Sequence, residues 1–276
     1  MHKTILLTGG AGFVGSNLAL FLKRDFPATK VIVLDNLKRR GSELNIERFK
    51  KENIVYVHGD LRNPEDIANT GPFDLLIDCA AEPSVMSGYQ GNTQYVVNTN
   101  LNGTVNCLEV LKNYKADLIF LSSSRVYPFQ KINALKYKES NTRFDFERNQ
   151  AITGVSELGI SEAFPLDGAR TLYGATKLAS ELMIEEYCDM FGLKAIINRC
   201  GVLTGPWQFG KIDQGIIVLW LAKHFYKSTL SYIGFEGSGK QVRDILHIED
   251  LYSLLKIQIQ NFNQHSGKKG HSANCK

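Results

Sequence analysis

The sequence predicts an α/β protein built on a doubly wound parallel sheet, and three observations carry that prediction. Short apolar runs of strand length recur along the chain, amphipathic stretches of helical length separate them, and a glycine-rich turn joins the first run to the first helix.

Thr4-Ile5-Leu6-Leu7 reads as a buried parallel strand, the turn Thr8 to Gly15 follows it, and Ser16 to Leu22 reads as the helix that the turn opens. Lys30 to Leu34 forms a second strand closed by Asp35. Further strands are predicted at Ile54 to Val57, Leu75 to Asp78, Leu118 to Leu121 and Ala195 to Asn198. Helices are predicted over Val97 to Tyr114 and over Tyr173 to Phe191, where Leu178, Leu182, Met183 and Tyr187 fall at helical spacing. In such folds ligands sit beyond the carboxyl ends of the strands, which is where Gly9, Asp35, Asp60, Ala80-Ala81 and Ser122-Ser123-Ser124 fall. Periodicity lapses between about Pro128 and Ala169, a stretch longer than a connection needs, and it reads as an insertion over the site.

The glycine turn defines the first ligand. Gly9, Gly12 and Gly15 let the backbone bend sharply and approach a dinucleotide pyrophosphate, while Phe13 and Val14 open a helix whose positive end faces that charge. Asp35, about twenty residues on, is placed to accept hydrogen bonds from the ribose hydroxyls and to repel a 2'-phosphate, so NAD is favoured over NADP. Lys38, Arg39 and Arg40 point the other way as a basic trio, and they also read as a solvated loop face. The expected organisation is a Rossmann-type domain over 1–203, with 242–262 returning to it, and a partial substrate-binding lobe over 204–276.

Bulk properties bound the remaining possibilities. With 276 residues, 43% of them hydrophobic and 22% charged, the chain can bury a sizeable core and is not a disordered one. The net charge of +4 is spread along the chain, which suits an anionic small ligand and gives no stripe for nucleic acid. Cys79, Cys107, Cys188, Cys200 and Cys275 lack the spacing of a zinc site or a disulfide framework, and a reducing cytoplasm is expected. His58 and His247 also lack metal-ligand spacing and read as structural, so no metal is expected. The amino terminus enters the first strand without a charged and apolar leader, and no apolar run is long enough to span a bilayer, so no membrane partner is expected.

Tyr173 and Lys177 stand four apart at the start of a helix and share one face. A phenol titrating near 10 is protonated at neutral pH, and an adjacent ammonium together with a cationic nicotinamide would lower that value. Such a tyrosine can take the proton of an alcohol while hydride leaves the same carbon. The strand ending in Ser122-Ser123-Ser124 offers a hydroxyl to share that proton.

With these features in hand, Thr8-Gly9-x-x-Gly12-x-x-Gly15, Ser123 in Ser-Ser-Ser-Arg-Val-Tyr, and Tyr173-x-x-x-Lys177 resemble the extended short-chain dehydrogenase/reductases, largely nucleotide-sugar epimerases and dehydratases. The resemblance implies a Ser123, Tyr173, Lys177 triad. It also places Asp60 and Leu61 near the adenine, Asn36 with Asp35, Ala80 and Ala81 beside the cofactor, Asn100 in support of the site and Cys200 as a packing residue near the nicotinamide.

Closer motifs at 35–41, 81–85, 124–128, 205–208, 213–215 and 239–244 resemble the branch of that family acting at C2 of CDP-linked sugars. On that likeness Arg243 would hold the nucleotide diphosphate through its guanidinium fork, an Arg243–Asp244 surface pair being the plainer reading. Arg125 and Gln208 are weaker candidates for sugar or phosphate contacts, and Trp207 would stack on a base or fill the lobe core. The family further implies a homodimer paired through the two long helices. Two departures stand out. Ser124-Arg125 replaces the acid pair of the 4,6-dehydratases, which disfavours loss of water, and the residues after Lys268 are polar and aperiodic where the family continues into a strand and more of the lobe. A lobe so shortened is expected to expose apolar surface.

The expected function is NAD-dependent epimerisation of a nucleotide sugar through a keto intermediate. Another nucleotide-sugar 4-epimerase or reductase, and an NAD-binding protein without turnover, are the alternatives.

Overall fold

The computed structural model describes residues 2–84, 86–89, 91–210, 215–266 and 272–275. Val85, Asp213 and Gln214 of the quoted motifs lie outside the described residues.

In chain order, β1 (Thr4–Thr8) leads through the glycine turn into α1 (Phe13–Asp25), followed by β2 (Lys30–Asp35), α2 (Asn45–Lys51), β3 (Val55–His58), α3 (Pro64–Ala68) and β4 (Leu75–Asp78). Next come α4 (Thr93–Val97), a π-helical turn at Asn98–Asn102, α5 (Gly103–Tyr114) and β5 (Asp117–Ser123). Small elements follow: α6 (Phe129–Asn133), β6 (Tyr137–Glu139), β7 (Phe144–Phe146), β8 (Val155–Ser156) and β9 (Gly159–Ile160). The chain then forms α7 (Leu172–Phe191), β10 (Ala195–Cys200), β11 (Val202–Thr204), α8 (Ile216–Phe225), β12 (Ile245–His247), α9 (Ile248–Gln260), α10 (Phe262–His265) and β13 (Ser272–Cys275).

Seven strands form one parallel sheet in the order β13-β10-β5-β4-β1-β2-β3. Its central strands are apolar on both faces because helices cover both, as a parallel sheet requires. One core holds Leu18, Leu22, Val31, Val33, Leu251 and Leu255, and the other holds Leu6, Ile32, Leu108, Leu111, Phe120 and Ile184. The strand order reverses between β1 and β4, and the crevice at that switch point is where such sheets bind ligands.

Three expectations need correction. Residues 128–169 form two hairpins, β6-β7 and β8-β9, around a small core of Val126, Tyr127, Leu135 and Phe164. None of them is among the described residues that line the central cavity, which include Arg125 and Tyr173 on either side of the stretch. The stretch read as an aperiodic end carries β13, which extends the main sheet beside β10 and so joins the first domain's sheet. Leu182 of α7, at helical spacing with the other apolar residues, is more than half exposed, and that helix instead buries Lys177 and Glu181 against the sheet and Thr176 and Ser180 against the π turn.

The exposed apolar surface expected beyond 203 is present. Helix α8 buries none of its described residues, and Leu221, Phe225, Tyr226 and Ile233 are all largely exposed.

Candidate active site

The glycine turn is a cradle that tolerates no side chain. Gly9 has φ of +59°, and a Cβ there would stand 2.7 Å from the Ala80 Cα at the end of β4. A Cβ on Gly15 would meet the Gly9 carbonyl oxygen at 2.5 Å. Helix α1 starts at Gly12 with no side-chain cap and no acid in its first turn, so its amide end remains available to an anion.

A cavity of about 500 Å³ opens over this cradle. Gly9, Gly12, Phe13, Val14, Gly15, Asp35 and Asn36 line its first half, with Leu61, Ala80 and Ala81 opposite. Ser123, Arg125 and Tyr173 line its far end, and Gln208 lines the cavity beside Phe209, whose carbonyl accepts from Arg39. The Thr99 hydroxyl, buried in the same wall, has no hydrogen-bond partner among the described residues, as expected of a group that awaits a ligand. The cradle, the bare helix end and the orphaned hydroxyl together fit a dinucleotide.

Asp35 is nearly buried; its carboxylate accepts from the Ala11 amide at 3.0 Å and the Leu37 amide at 2.8 Å. Burial raises its pKa against those hydrogen bonds. Asp60 lies just outside the cavity wall: Arg62 grips it through two nitrogens at 2.9 and 2.6 Å, and Asn36 donates to it at 2.8 Å. That pairing, led by the hydrogen bond from Arg62, holds its carboxyl well below the usual range.

At the far end, Ser123 closes β5 and is the ladder neighbour of buried Cys200 on β10. Tyr173 opens α7, whose cap Thr171 accepts from the Gly174 amide at 3.2 Å. Burial pushes the Tyr173 phenol up to about 12, while a hydrogen bond with Ser123 and the charge of Arg125 work in the opposite direction. Lys177 is fully enclosed one turn further along. Its ammonium donates to the Leu121 carbonyl at 2.9 Å and lies 4.3 Å from the centre of the Phe120 ring. Burial lowers its own pKa, against nearby Asp78.

In the ligand-free chain burial is the largest influence on the Tyr173 phenol, and the Lys177 ammonium is bonded to β5.

Asn100 sits in the π turn and braces the site. Its side chain accepts from the Glu82 amide at 2.8 Å and donates to the Thr176 hydroxyl at 3.2 Å. Arg243 is turned along its own segment, donating to the Val242 carbonyl and the Gln241 side chain, and does not line the cavity; it makes no ion pair with Asp244 among the described residues. Trp207 is exposed and so does not fill a core, and Arg48 lies over its ring at 4.2 Å. His247 caps α9 through the Glu249 amide at 3.4 Å.

Sequence reasoning missed two buried groups. Asp78 accepts from the Thr8 hydroxyl at 2.6 Å and the Ala80 amide at 3.1 Å, tying β1 to β4 behind the cradle. Glu181 and Arg199 pair beneath the site, with Ser122 and Tyr127 bonded into the pair. Each is a charge inside an otherwise apolar strand or a helix face toward the sheet, and that was the available signal.

The NAD dependent epimerase/dehydratase family model matches residues 5–274. The chain belongs to that family. Its structural neighbours in the family include NAD complexes, and the family chemistry is that of nucleotide-sugar epimerases and dehydratases using NAD.

CDP-paratose 2-epimerase of Salmonella typhi is 32% identical over 275 residues, covering 95% of this chain and 76% of that protein. A dTDP-D-glucose 4,6-dehydratase of Dictyostelium discoideum is also 32% identical, over 92% of this chain and 55% of that one. The dTDP-glucose 4,6-dehydratase of Streptomyces venezuelae, solved with NAD, superposes with a TM-score of 0.75 at 25% identity, covering 99% of this chain and 75% of its own.

Proposed function

We propose that the chain inverts C2 of a CDP-linked dideoxyhexose, interconverting CDP-paratose and CDP-tyvelose or a close pair. The observation that carries this reading is the far end of the cavity: Ser123 and Tyr173 share it with the glycine cradle, and the turn after Ser123 presents Arg125 in place of a carboxylic acid. Elimination of water needs a proton donor and a base beside the sugar, whereas epimerisation needs one proton acceptor that acts twice. Glu82, a second carboxylate in the lining besides Asp35, has Oε1 bonded to the Ser84 amide at 3.3 Å. The 32% identity to CDP-paratose 2-epimerase supports the choice of substrate.

Bound NAD+ supplies a hydride acceptor that returns the hydride to the same carbon. Tyr173 accepts the proton of the C2 hydroxyl through its phenolic oxygen and gives it back after the sugar has turned. Ser123 orients that hydroxyl, and Lys177 anchors the start of α7 against β5 so that the phenol stays at the cavity wall. Arg243, released from Gln241, would hold the diphosphate while the sugar turns. Gln208, fixed by the Thr204 hydroxyl at 3.1 Å and by the Leu203 carbonyl at 3.0 Å, also lines the cavity and would meet the sugar or the phosphate.

The reading includes a cytoplasmic homodimer paired through α5 and α7, where Leu182, Met190 and Phe191 are exposed. The test is a panel of CDP, UDP, GDP and dTDP sugars, scored by NMR for the inverted carbon, on protein assayed for co-purified NAD by mass spectrometry. Inversion at C2 of a CDP sugar is expected; inversion at C4, or bound NAD with no conversion, overturns the assignment.

A further inference from the structure

Residues 206–209, beyond β11, reach the glycine cradle and are tied to it from two sides. Buried Asn17 of α1 donates through its side-chain nitrogen to the Pro206 carbonyl and to the Phe13 carbonyl, both at 2.9 Å, in the helix that the cradle opens. From the other side Arg48 of α2 lies 4.2 Å from the centre of the Trp207 ring and donates to the Asn45 side chain at 2.6 Å. Asn45 in turn donates to the Ala11 carbonyl, within the glycine turn, at 2.8 Å. Arg39, 170 residues away in sequence, donates to the Phe209 carbonyl at 3.2 Å. Gly41 lies so close to the Phe209 ring that a Cβ there would stand 3.0 Å from it. Gln208 and Phe209 line the cavity from this segment, while Arg39 and Asn45 line it from the stretch after β2, so these contacts join two separate parts of its wall. Trp207 holds φ at +66°, a left-handed conformation that bulky side chains avoid, with 45% of its surface exposed. The ring fills no core, so its contact with Arg48 is what the strained backbone preserves.

We propose that residues 206–209 are a strap that retains NAD and that Trp207 stacked on Arg48 is its latch. While the ring and the guanidinium stay together, the two parts of the wall stay joined and a dinucleotide on the cradle is slow to leave. Arg48 reaches the glycine turn through Asn45, so occupation of the turn and closure of the latch favour each other, and each stabilises the other by the same factor. Neither Trp207 nor Arg48 is among the described residues that line the cavity; both act through its wall and are positioning residues for the cofactor. The inference rests on the NAD chemistry of the family and is independent of which sugar is turned over. A reaction that lends a hydride and takes it back needs its NAD to outlast the turnover, and the strap supplies that residence.

The test follows the cofactor with no sugar present. Protein loaded with deuterium-labelled NAD+ is chased with an excess of unlabelled NAD+, and the label still bound is read by mass spectrometry over time. Release is expected to quicken about fivefold in Trp207→Ala and in Arg48→Ala, and to stay within about twofold of native in Trp207→Phe, which keeps a ring for the cation. The double variant Trp207→Ala with Arg48→Ala is expected to release NAD no faster than either single one, because both remove the same contact. Both side chains are at least partly exposed, so the variants are expected to fold, with urea midpoints close to native. Release unchanged in both single variants overturns the proposal, and so do losses that multiply in the double variant. Because the readout needs no turnover, failure of every CDP sugar in the panel would sink the assigned reaction and still leave these rates readable.

Discussion

Glu181 of α7 and Arg199 of β10 form a buried, two-pronged ion pair, with Nη2 2.7 Å from Oε2 and Nε 3.1 and 3.2 Å from the two carboxylate oxygens. Ser122 donates to the same carboxylate, and Arg199 also donates to the Tyr127 hydroxyl at 3.3 Å. The pair therefore joins the helix that carries Tyr173 to the strand end that carries Ser123. Its consequence is specificity of placement more than net stability, because two charges have left water to make it.

Removing one partner leaves the other charged and dry. Arg199→Met and Glu181→Leu are each expected to lower unfolding free energy by about 3–5 kcal/mol in urea titrations, whereas the double variant loses much less than the sum. Additive losses would show that the two side chains act independently.

Lys177 makes a pH-dependent prediction. Burial holds its ammonium below the ordinary 10.5, so the folded chain binds that proton less tightly than the unfolded chain does. Its contribution to stability is thus complete above 10.5 and is lost as pH falls through the lowered value. Without NAD, the urea midpoint of the native chain relative to that of Lys177→Met is expected to rise as pH climbs toward 10.5, and a difference that stays level or falls over that range would contradict this.

Gly15→Ala tests the cradle. The new methyl would stand 2.5 Å from the Gly9 carbonyl and 2.6 Å from the Gly10 Cα, both backbone atoms that cannot swing aside. NAD affinity is expected to fall at least tenfold by calorimetry, and an unchanged affinity would remove the turn from the binding site.

Much of this architecture could be read from the chain before any coordinates. The strands ending in Thr8, Asp35 and Asp78 and the turn between them announce themselves through local apolar runs and glycine spacing. The i,i+4 relation of Tyr173 and Lys177 is likewise local. Distant pairings left weaker marks. Arg199 stands in an apolar strand and its partner is 18 residues away, so the sequence shows a buried charge without showing what neutralises it. Helical spacing puts Lys177 on one face with Tyr173, but spacing says nothing of the Leu121 carbonyl to which its ammonium donates. Strand β13, Ser-Ala-Asn-Cys, carries no β-branched or aromatic side chain; it joins the sheet through backbone pairing at an edge, which polarity patterns do not report.

Tyr173→Phe separates binding from chemistry. Loss of the proton acceptor is expected to reduce kcat by roughly 10²- to 10⁴-fold with NAD affinity unchanged. A kcat within a few-fold of native would assign the proton to another group.

Departure of hydride from one carbon of the bound sugar and its return to that carbon is the step on which the assigned reaction turns. CDP-paratose carrying deuterium at C2, incubated in ordinary water and followed by NMR and mass spectrometry, is expected to yield CDP-tyvelose with the deuterium retained at C2. Loss of that label to solvent, or inversion at another carbon, would contradict it.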